Sequence, residues 1–493
     1  MQDSSGSIRD KERAIRQAIL VSLIYLVPAA QALLPIDDPD IWWRLRVGEW
    51  IAAHRSVPFV DSFSAYDAGR SWIDYSWLFE LAVYLAHRWL GLVGIVLLIV
   101  SLALCIAHAA RQLIRRYSFP LPAEVLLVGL ALAALKPLMT PRPWLISILF
   151  FAIELGIIYQ ARATKKARCL WLLPLLFWVW ANFHIQFVYG LAAVGLLAGE
   201  ALLIAIANRR GWTLEKPDLS PPSLIVLVFA CTAATLLTPY HYLIYKQVFD
   251  YMFVQTAAFD YIAELHPMFF RAPQDWIVLL LALAAAFALG WGRGWRPFPL
   301  LLLLMAALLA FRARRDAWVL ALVALATIGE AFGSYRSTEA YRFTKTQAAL
   351  AICIGAVVLY TLALSRGISE AGLEKIVEEK YPVRAAAFVR DKKLSGPVFN
   401  HYDWGGFLLW SLPSIGVVTD GRTNLYEDSQ IERSLSTWDG APGWQADPDL
   451  RRANLIIADK GRALTTLLRA DPRYKIAYED ATAVVFVPTD STP

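Results

Sequence analysis

Charge is scarce in this 493-residue sequence. Asp, Glu, Lys and Arg make up 18 % of it, against about 25 % in a typical soluble domain. Hydrophobic residues reach 57 %, where roughly 45–50 % is usual, and the mean hydropathy is +0.46. A chain of this composition cannot cover its apolar groups with its own polar surface in water, so it reads as an integral membrane protein. The same figures exclude a disordered chain. Cysteine is nearly absent. Cys105, Cys169, Cys231 and Cys353 all fall in or beside apolar runs, which leaves the polar C-terminal part without a disulfide and the chain without metal-ligand cysteine spacing. Low-complexity tracts and internal repeats are also missing, and the C-terminal part holds no glycine-rich phosphate loop, Ser-His-Asp set or zinc pattern. The net charge of +6 does not indicate nucleic acid, because the basic residues sit in short clusters between apolar runs, where they orient a chain in a bilayer.

Crossing about 30 Å of hydrocarbon takes roughly 20 apolar residues as a helix. Runs of this kind lie near 15–34, 90–110, 121–138, 143–161, 169–182, 186–207, 222–239, 274–291, 297–311, 316–333 and 346–365, which predicts about 11 spans. The run 169–182 is short and ends in Asn182-Phe183-His184, the pattern of a broken or re-entrant segment. Lys and Arg concentrate in alternate short loops, among them Arg9–Arg16, Arg111–Arg116, Arg162–Arg168, Arg209–Lys216, Arg293–Arg296 and Arg336–Lys345. That bias predicts a cytoplasmic N-terminus and an extracytoplasmic C-terminal part, in the cell (inner) membrane. Ala30-Gln31-Ala32 also has the form of a signal-peptide cleavage site, and cleavage there leaves the following chain on the same side.

Two extracytoplasmic pieces stand out, and they divide the chain into a polytopic part, 1–371, and a small soluble α/β domain, 372–493. Within the first part, the outer loop 35–89 is acidic and rich in tryptophan. Residues 40–53 read as a helix along the bilayer surface, with Trp42 and Trp43 on one side and Arg44 towards the other. Ser76–Leu90 reads as a second amphipathic helix. In the tail, helical and strand patterns alternate: helix Pro382–Lys392, strand Pro397–Asn400, helix Gly405–Leu412, strand Gly416–Thr419, helix Leu425–Ser434, strand Leu455–Ala458, helix Arg462–Ala470, and a closing strand pair Tyr474–Tyr478 and Ala483–Val487.

Asp37-Asp38-Pro39-Asp40 follows the first span directly. Three neighbouring carboxylates do not ionise comfortably together without a cation. The cation could be a divalent metal (Mg or Mn) held by Asp38 and Asp40, and the alternative partner is a hydroxyl presented to a base. Helix capping by one of these acids is the plain reading. Asp74 and Glu80 are further acids of the loop and read, each alone, as solvated carboxylates. So do Asp61 and Asp67.

The run Asp38-Pro39-Asp40-Ile41-Trp42-Trp43-Arg44-Leu45, with Asp61-Ser62-Phe63-Ser64, Trp72-Ile73-Asp74-Tyr75-Ser76-Trp77, Arg142-Pro143-Trp144, Trp180-Ala181-Asn182-Phe183-His184, Thr238-Pro239-Tyr240, Tyr402-Asp403-Trp404-Gly405-Gly406-Phe407 and Thr419-Asp420-Gly421-Arg422, spans most of the chain. It resembles bacterial membrane proteins of the GT-C superfamily, the group of the polyprenyl-phosphate-sugar-dependent mannosyl and aminoarabinose transferases. The resemblance implies a multi-pass helical fold and a glycosyltransferase of the cell envelope. It also implies a polyprenyl-phosphate-linked donor and an acid of the first outer loop acting as base or metal holder, a role that falls on Asp38, Asp40 and Asp37. Later basic residues would hold the lipid phosphate. The cluster Arg312-Ala313-Arg314-Arg315 fits, since arginine offers phosphate a planar fork of donors. Lipid headgroup contact fits it too. Lys136 and Arg142 flank a short outer turn and are second candidates.

Asn182 and His184 mark either a polar path into the membrane or a structural hydrogen-bonding pair. Tyr240–Tyr251 reads as an interfacial helix. Asp420-Gly421-Arg422 is either a sugar contact or an internal pair closing a turn. The leading functional expectation is an acid-assisted, inverting sugar transfer to a lipid, glycan or protein acceptor outside the cytoplasm. A transporter or flippase for a lipid-linked precursor, with the acids as cation sites, is the alternative, and a non-catalytic scaffold the third.

Overall fold

Runs that are apolar on all sides have no stable place for a helix except among other apolar groups, and each of the eleven runs lies in a helix or overlaps one closely. The computed structural model describes residues 2–117, 119–212, 219–254, 262–291, 297–333 and 344–489. Lys216, Arg293, Arg296, Arg336 and Arg342 of the expected inner loops lie outside them. Among the described helices, six are long and apolar enough to cross a membrane, and Leu121–Ala134, Ala167–Phe183, Pro221–Thr235 and Pro297–Arg312 are shorter apolar ones. The protein is a multi-pass α-helical membrane protein. Its chain forms two compact units: Met1–Leu34, Val96–His241 and Ile262–Arg366 in one, and Pro35–Ile95, Tyr242–Tyr261 and Gly367–Pro493 in the other.

The first unit is a helical assembly around Ala317–Phe332. Up to Glu330 that helix is apolar almost throughout, and Ala317 to Gly329 are all buried. The helices Leu121–Ala134, Trp144–Thr164, Pro273–Trp291 and Pro297–Arg312 surround it. Large apolar side chains such as Leu283, Phe287, Leu304 and Leu308 are exposed on the outside, as a hydrocarbon solvent requires. Several buried charges are paired: Arg111 Nε donates to Glu124 at 2.6 Å, and Arg162 bonds Glu200 and Glu330, the latter at 3.1 Å. Glu154, fully buried, has no hydrogen-bond partner on either carboxylate oxygen among the described residues. The short run near 169–182 is a 3₁₀ turn, Ala167–Leu172, followed by the helix Leu173–Phe183, and the backbone is extended at His184.

In the second unit a four-stranded sheet has the order β1 (Val398–Asn400), β2 (Leu455–Asp459), β4 (Ala483–Pro488), β3 (Tyr474–Glu479). β1 runs parallel to β2 with Phe399 opposite Ile456, and the other pairings are antiparallel, with Ile457 opposite Val485. Its core gathers Phe399, Trp438, Ile456, Leu464, Leu468, Val484 and Phe486. The helix Ala463–Ala470 buries Leu464 and Leu468 there, one turn apart. Gly416–Thr419, expected as a strand, is reduced to bridges at Val417, which pairs with Val398 on one side and with Ser64 of the first outer loop on the other. Beyond Val417 the Asn400 side chain serves the backbone, accepting the Val418 N–H at 3.1 Å and donating to the Thr419 C=O at 2.7 Å. Ala65 and Tyr66 pack on the same core.

The helix Asp40–His54 forms as expected, with one correction. Arg44 does not face away but is buried, 5 % exposed. The expected Ser76–Leu90 helix is the first part of Trp77–Arg115, which leaves helical geometry at Gly91 (φ 62°). The freed N–H groups of Leu92 and Val93 donate to the Glu370 carboxylate at 2.9 and 3.2 Å. A Cβ at Gly91 would stand 2.3 Å from Glu370 Oε1. Glycine is therefore required there twice, for its backbone angle and for the carboxylate's approach.

Candidate functional site

The acid motif enters the second unit at the start of Asp40–His54. Asp37 is exposed and forms an ion pair with Lys380. Asp38 is buried, and its Oδ1 accepts the Asp40 N–H at 3.0 Å. That bond takes up one of the donors a helix start leaves unpaired. Burial, reinforced by the charges of Asp38 and Asp37, raises the Tyr381 phenol well above its ordinary value. Asp40 is half-buried as the first helical residue. Its carboxylate lies against Gly421, where a Cβ would stand 1.9 Å from Oδ1, so glycine in Asp420-Gly421-Arg422 is what lets the two segments meet. The three acids point to different partners, and among the described residues no group of three or more His, Cys, Asp or Glu side chains could hold a metal ion.

Trp42 and Trp43 are buried beside the acids. Trp42 meets Tyr381 and Phe407 edge-on at 5.5 and 5.3 Å, and Trp43 carries the Arg44 guanidinium 4.2 Å above its ring. Arg44 in turn donates to Ser76 Oγ at 3.3 Å and pairs with Glu80. Glu80 and Asp74 are 0 % and 2 % exposed, which corrects the expectation of solvated carboxylates. Burial, followed by the neighbouring Glu80 and against Arg44, pushes the Asp74 carboxyl well above the usual range.

Asp61 is likewise buried, not solvated. Arg422 donates to it at 2.5 Å, to both oxygens of Asp420 at 2.9 and 2.7 Å, and to Ser64 Oγ at 3.0 Å. Tyr426 donates to Asp420 at 2.8 Å. Of the two readings of Asp420-Gly421-Arg422, the internal pair is the one realised. Burial acts to raise the Asp61 carboxyl, but the Arg422 charge and the bonds from Ser64 and Arg422 outweigh it and hold it below the ordinary value.

The candidate cations belong to the first unit. Arg314 and Arg315 line a small cleft of about 170 Å³ with Glu264, Asp275, Leu138 and Met268. Arg314 lies 3.5 Å from Asp275 and Arg315 3.9 Å from Asp316. Arg142 pairs with Glu264 at 3.3 Å and stacks on Trp144. Arg312 and Lys136 are exposed. Glu264, Asp275 and Asp316 are the residues that sequence reasoning missed. Each is distant in sequence from the cation it meets or was overshadowed by the arginine run, and no spacing announces them. Asp316 accepts from Gln186 and Tyr189 at 2.9 and 2.8 Å.

His184 Nδ1 is 2.8 Å from Ser147 Oγ, which also accepts Trp180 Nε1 at 2.8 Å. Asn182 donates to the carbonyls of Trp178 and Leu237. Tyr240 is 2 % exposed and precedes the expected interfacial helix, which runs over Leu243–Phe253.

No family model matches the sequence, and no curated protein does. Solved structures do match in fold, two oligosaccharyltransferase structures among them. One is the archaeal oligosaccharyltransferase AglB from Archaeoglobus fulgidus, in complex with an inhibitory peptide and a dolichol-phosphate. It superposes over 91 % of this chain and 70 % of its own, with a TM-score of 0.58 and 11 % identity. The apo form of the A. fulgidus oligosaccharyltransferase covers 90 % and 69 %, with a TM-score of 0.52 and 12 % identity. At this identity the matches define the fold alone, and it is a GT-C fold.

Proposed function

We propose that this protein is a membrane glycosyltransferase that takes a sugar from a polyprenyl-phosphate carrier and places it on an acceptor outside the cytoplasm. The observation that carries the reading is the fold match over nine-tenths of the chain to an oligosaccharyltransferase whose structure holds a dolichol-phosphate. It is supported by the acids heading Asp40–His54 and by Arg314 and Arg315 at an open cleft.

In the proposed inverting step an acceptor hydroxyl oxygen attacks the sugar's anomeric carbon. The bond from that carbon to the phosphate oxygen breaks, and its electron pair leaves with the polyprenyl phosphate. The hydroxyl proton passes to Asp38 or Asp40, and general-base help of this kind contributes about 10²–10⁴-fold. Arginine side chains stabilise the charge developing on the departing phosphate. The division into a polytopic part, 1–371, and an extracytoplasmic α/β domain, 372–493, belongs to the same proposal. So does the cytoplasmic N-terminus: a periplasm-dependent reporter fused after Arg366 should be active, and activity of a cytoplasm-dependent one would reverse the orientation.

The deciding experiment is transfer from a panel of radiolabelled polyprenyl-phosphate sugars by the purified full chain. Asp38→Asn and Asp40→Asn keep size and hydrogen-bonding shape, so protein level should stay normal. In the variant that lacks the base, transfer should fall by roughly 10²-fold or more. Full activity in both variants removes the first outer loop from the mechanism.

A further inference from the structure

A cavity of about 900 Å³ opens in the second unit, between the first outer loop and the tail. That volume is at the upper end of the ordinary range for small-molecule sites. Its walls include Tyr66, Arg390, Lys393, Ser395, Ser414 and Arg452, and no Asp or Glu is among the described lining residues. We propose that this cavity binds an acidic oligosaccharide, with Arg390, Lys393 and Arg452 taking its carboxylates.

Lys393 is the informative residue. The helix Val383–Asp391 ends with Leu394 N–H bonded to Val389 C=O at 3.0 Å and Lys393 N–H to Arg390 C=O at 3.1 Å. This crossed pair is the Schellman ending, whose left-handed position is usually glycine. Here that position is Lys393, at φ 53°. A lysine held where glycine would be relaxed places backbone strain at the cavity wall, the kind of cost that accompanies sites of function.

The other two cations are differently placed. The Arg452 guanidinium stands 3.9 Å above the Tyr66 ring, which fixes its plane. Of the acids that act on the Tyr66 ring it covers, Asp449 accepts from Arg433 at 2.5 Å and Asp447 from Thr437 at 2.7 Å. Arg390 Nε is 3.9 Å from Asp391, in an exposed pair that contributes little. Between the cations the wall mixes the Ser395 and Ser414 hydroxyls with apolar side chains from Pro397 and Ile415. Sugar rings present the same mixture, C–H faces and hydroxyl edges, and the charge calls for acidic ones.

Identifying this ligand as the acceptor rests on the transferase reading; its binding does not. The test is thermophoretic binding to the labelled full chain in detergent. The probes are trigalacturonate, its methyl ester and inorganic phosphate. The acid should bind, weaken with salt and exceed both controls by more than tenfold. Lys393→Gly removes the charge while relaxing the turn. Affinity should fall about fivefold, the scale of one exposed charge contact, and the melting temperature should hold or rise. Arg390→Ser/Lys393→Gly/Arg452→Ser should abolish binding. Equal binding of acid and ester, equal binding of phosphate and trisaccharide, or wild-type affinity in the triple variant would each overturn the site. Transfer failing while trigalacturonate still binds would remove only the transferase reading, and the opposite result only this site.

Discussion

Two buried arginines in the second unit have nearly the same company, but the carboxylates beside them are shifted in opposite directions. Arg422 meets Asp61, Asp420 and Ser64; Arg44 meets Glu80 and Ser76, with Asp74 close by. Each has one guanidinium, two carboxylates and a serine. Around Arg422 all three guanidinium nitrogens donate, and the neighbouring Asp61 is held ionised, below its usual value. Around Arg44 one terminal nitrogen serves both Ser76 and Glu80. Arg44 Nε, Glu80 Oε2 and Asp74 Oδ2 are buried without a hydrogen-bond partner, and Asp74 is driven to keep its proton. The same formal charges thus give two different electrostatic results. What decides is whether the planar fork of donors is matched oxygen by oxygen.

The largest effect that would break this contrast belongs to Arg422. Arg422→Met strands two buried carboxylates and should cost about 3–5 kcal/mol, seen as a large fall in the apparent melting temperature in detergent. Arg44→Met should cost less, about 1–3 kcal/mol, because its acids can take up protons. Equal losses would mean that hydrogen-bond matching is irrelevant.

Next in size is acidification. Asp61 has a depressed folded value, so its contribution is complete above the ordinary aspartate value near ~4. It is lost as the pH falls through the lower folded one. Melting temperatures taken from pH 7 to pH 3 should therefore drop more steeply for the wild type than for Asp61→Asn, and parallel curves would show that Asp61 carries no ionised pair.

The smallest effect is expected at Asp74. Its folded value is raised, so stability is full below ~4 and declines as the pH rises towards the folded value. Asp74→Asn carries a neutral group of similar shape. At pH 8 it should melt at or above the wild type, within about 1 kcal/mol. A clear loss there would mean that Asp74 is ionised after all.

The helices were largely legible in the sequence, since apolar runs such as 144–164 and 317–332 leave a chain in hydrocarbon no other way to pair its backbone. The break at Asn182–His184 was legible for the same reason. The helix behind the acid motif and the β3–β4 pair could each be placed to within one residue. The ion clusters could not. Asp61 and Arg422 lie 361 positions apart, and nothing local distinguishes a carboxylate that waits for a distant arginine from one that faces water. A faint sign existed: Asp61 Oδ1 and Oδ2 accept the N–H groups of Phe63 and Ser64, the turn that Asp-x-Phe-Ser favours, with aromatic residues on both sides. Arg44 was misread because its helix was judged by periodicity against a bilayer, whereas its neighbours are Trp43, Ser76 and Glu80.

The bonds from Leu92 and Val93 to Glu370 also set a timetable for biosynthesis. The two N–H groups are made 278 and 277 positions before the carboxylate that receives them. At roughly 5–20 residues per second, the ribosome needs about 14–56 s to supply Glu370 after Leu92. Over that interval the turn at Gly91 has its backbone donors open, and Asp61 waits longer still for its arginine. The first outer loop is thus an early-born, late-finished part of the molecule. A chain truncated before Glu370 should insert its leading helices yet leave this loop accessible to protease, while one extended past Arg422 should protect it.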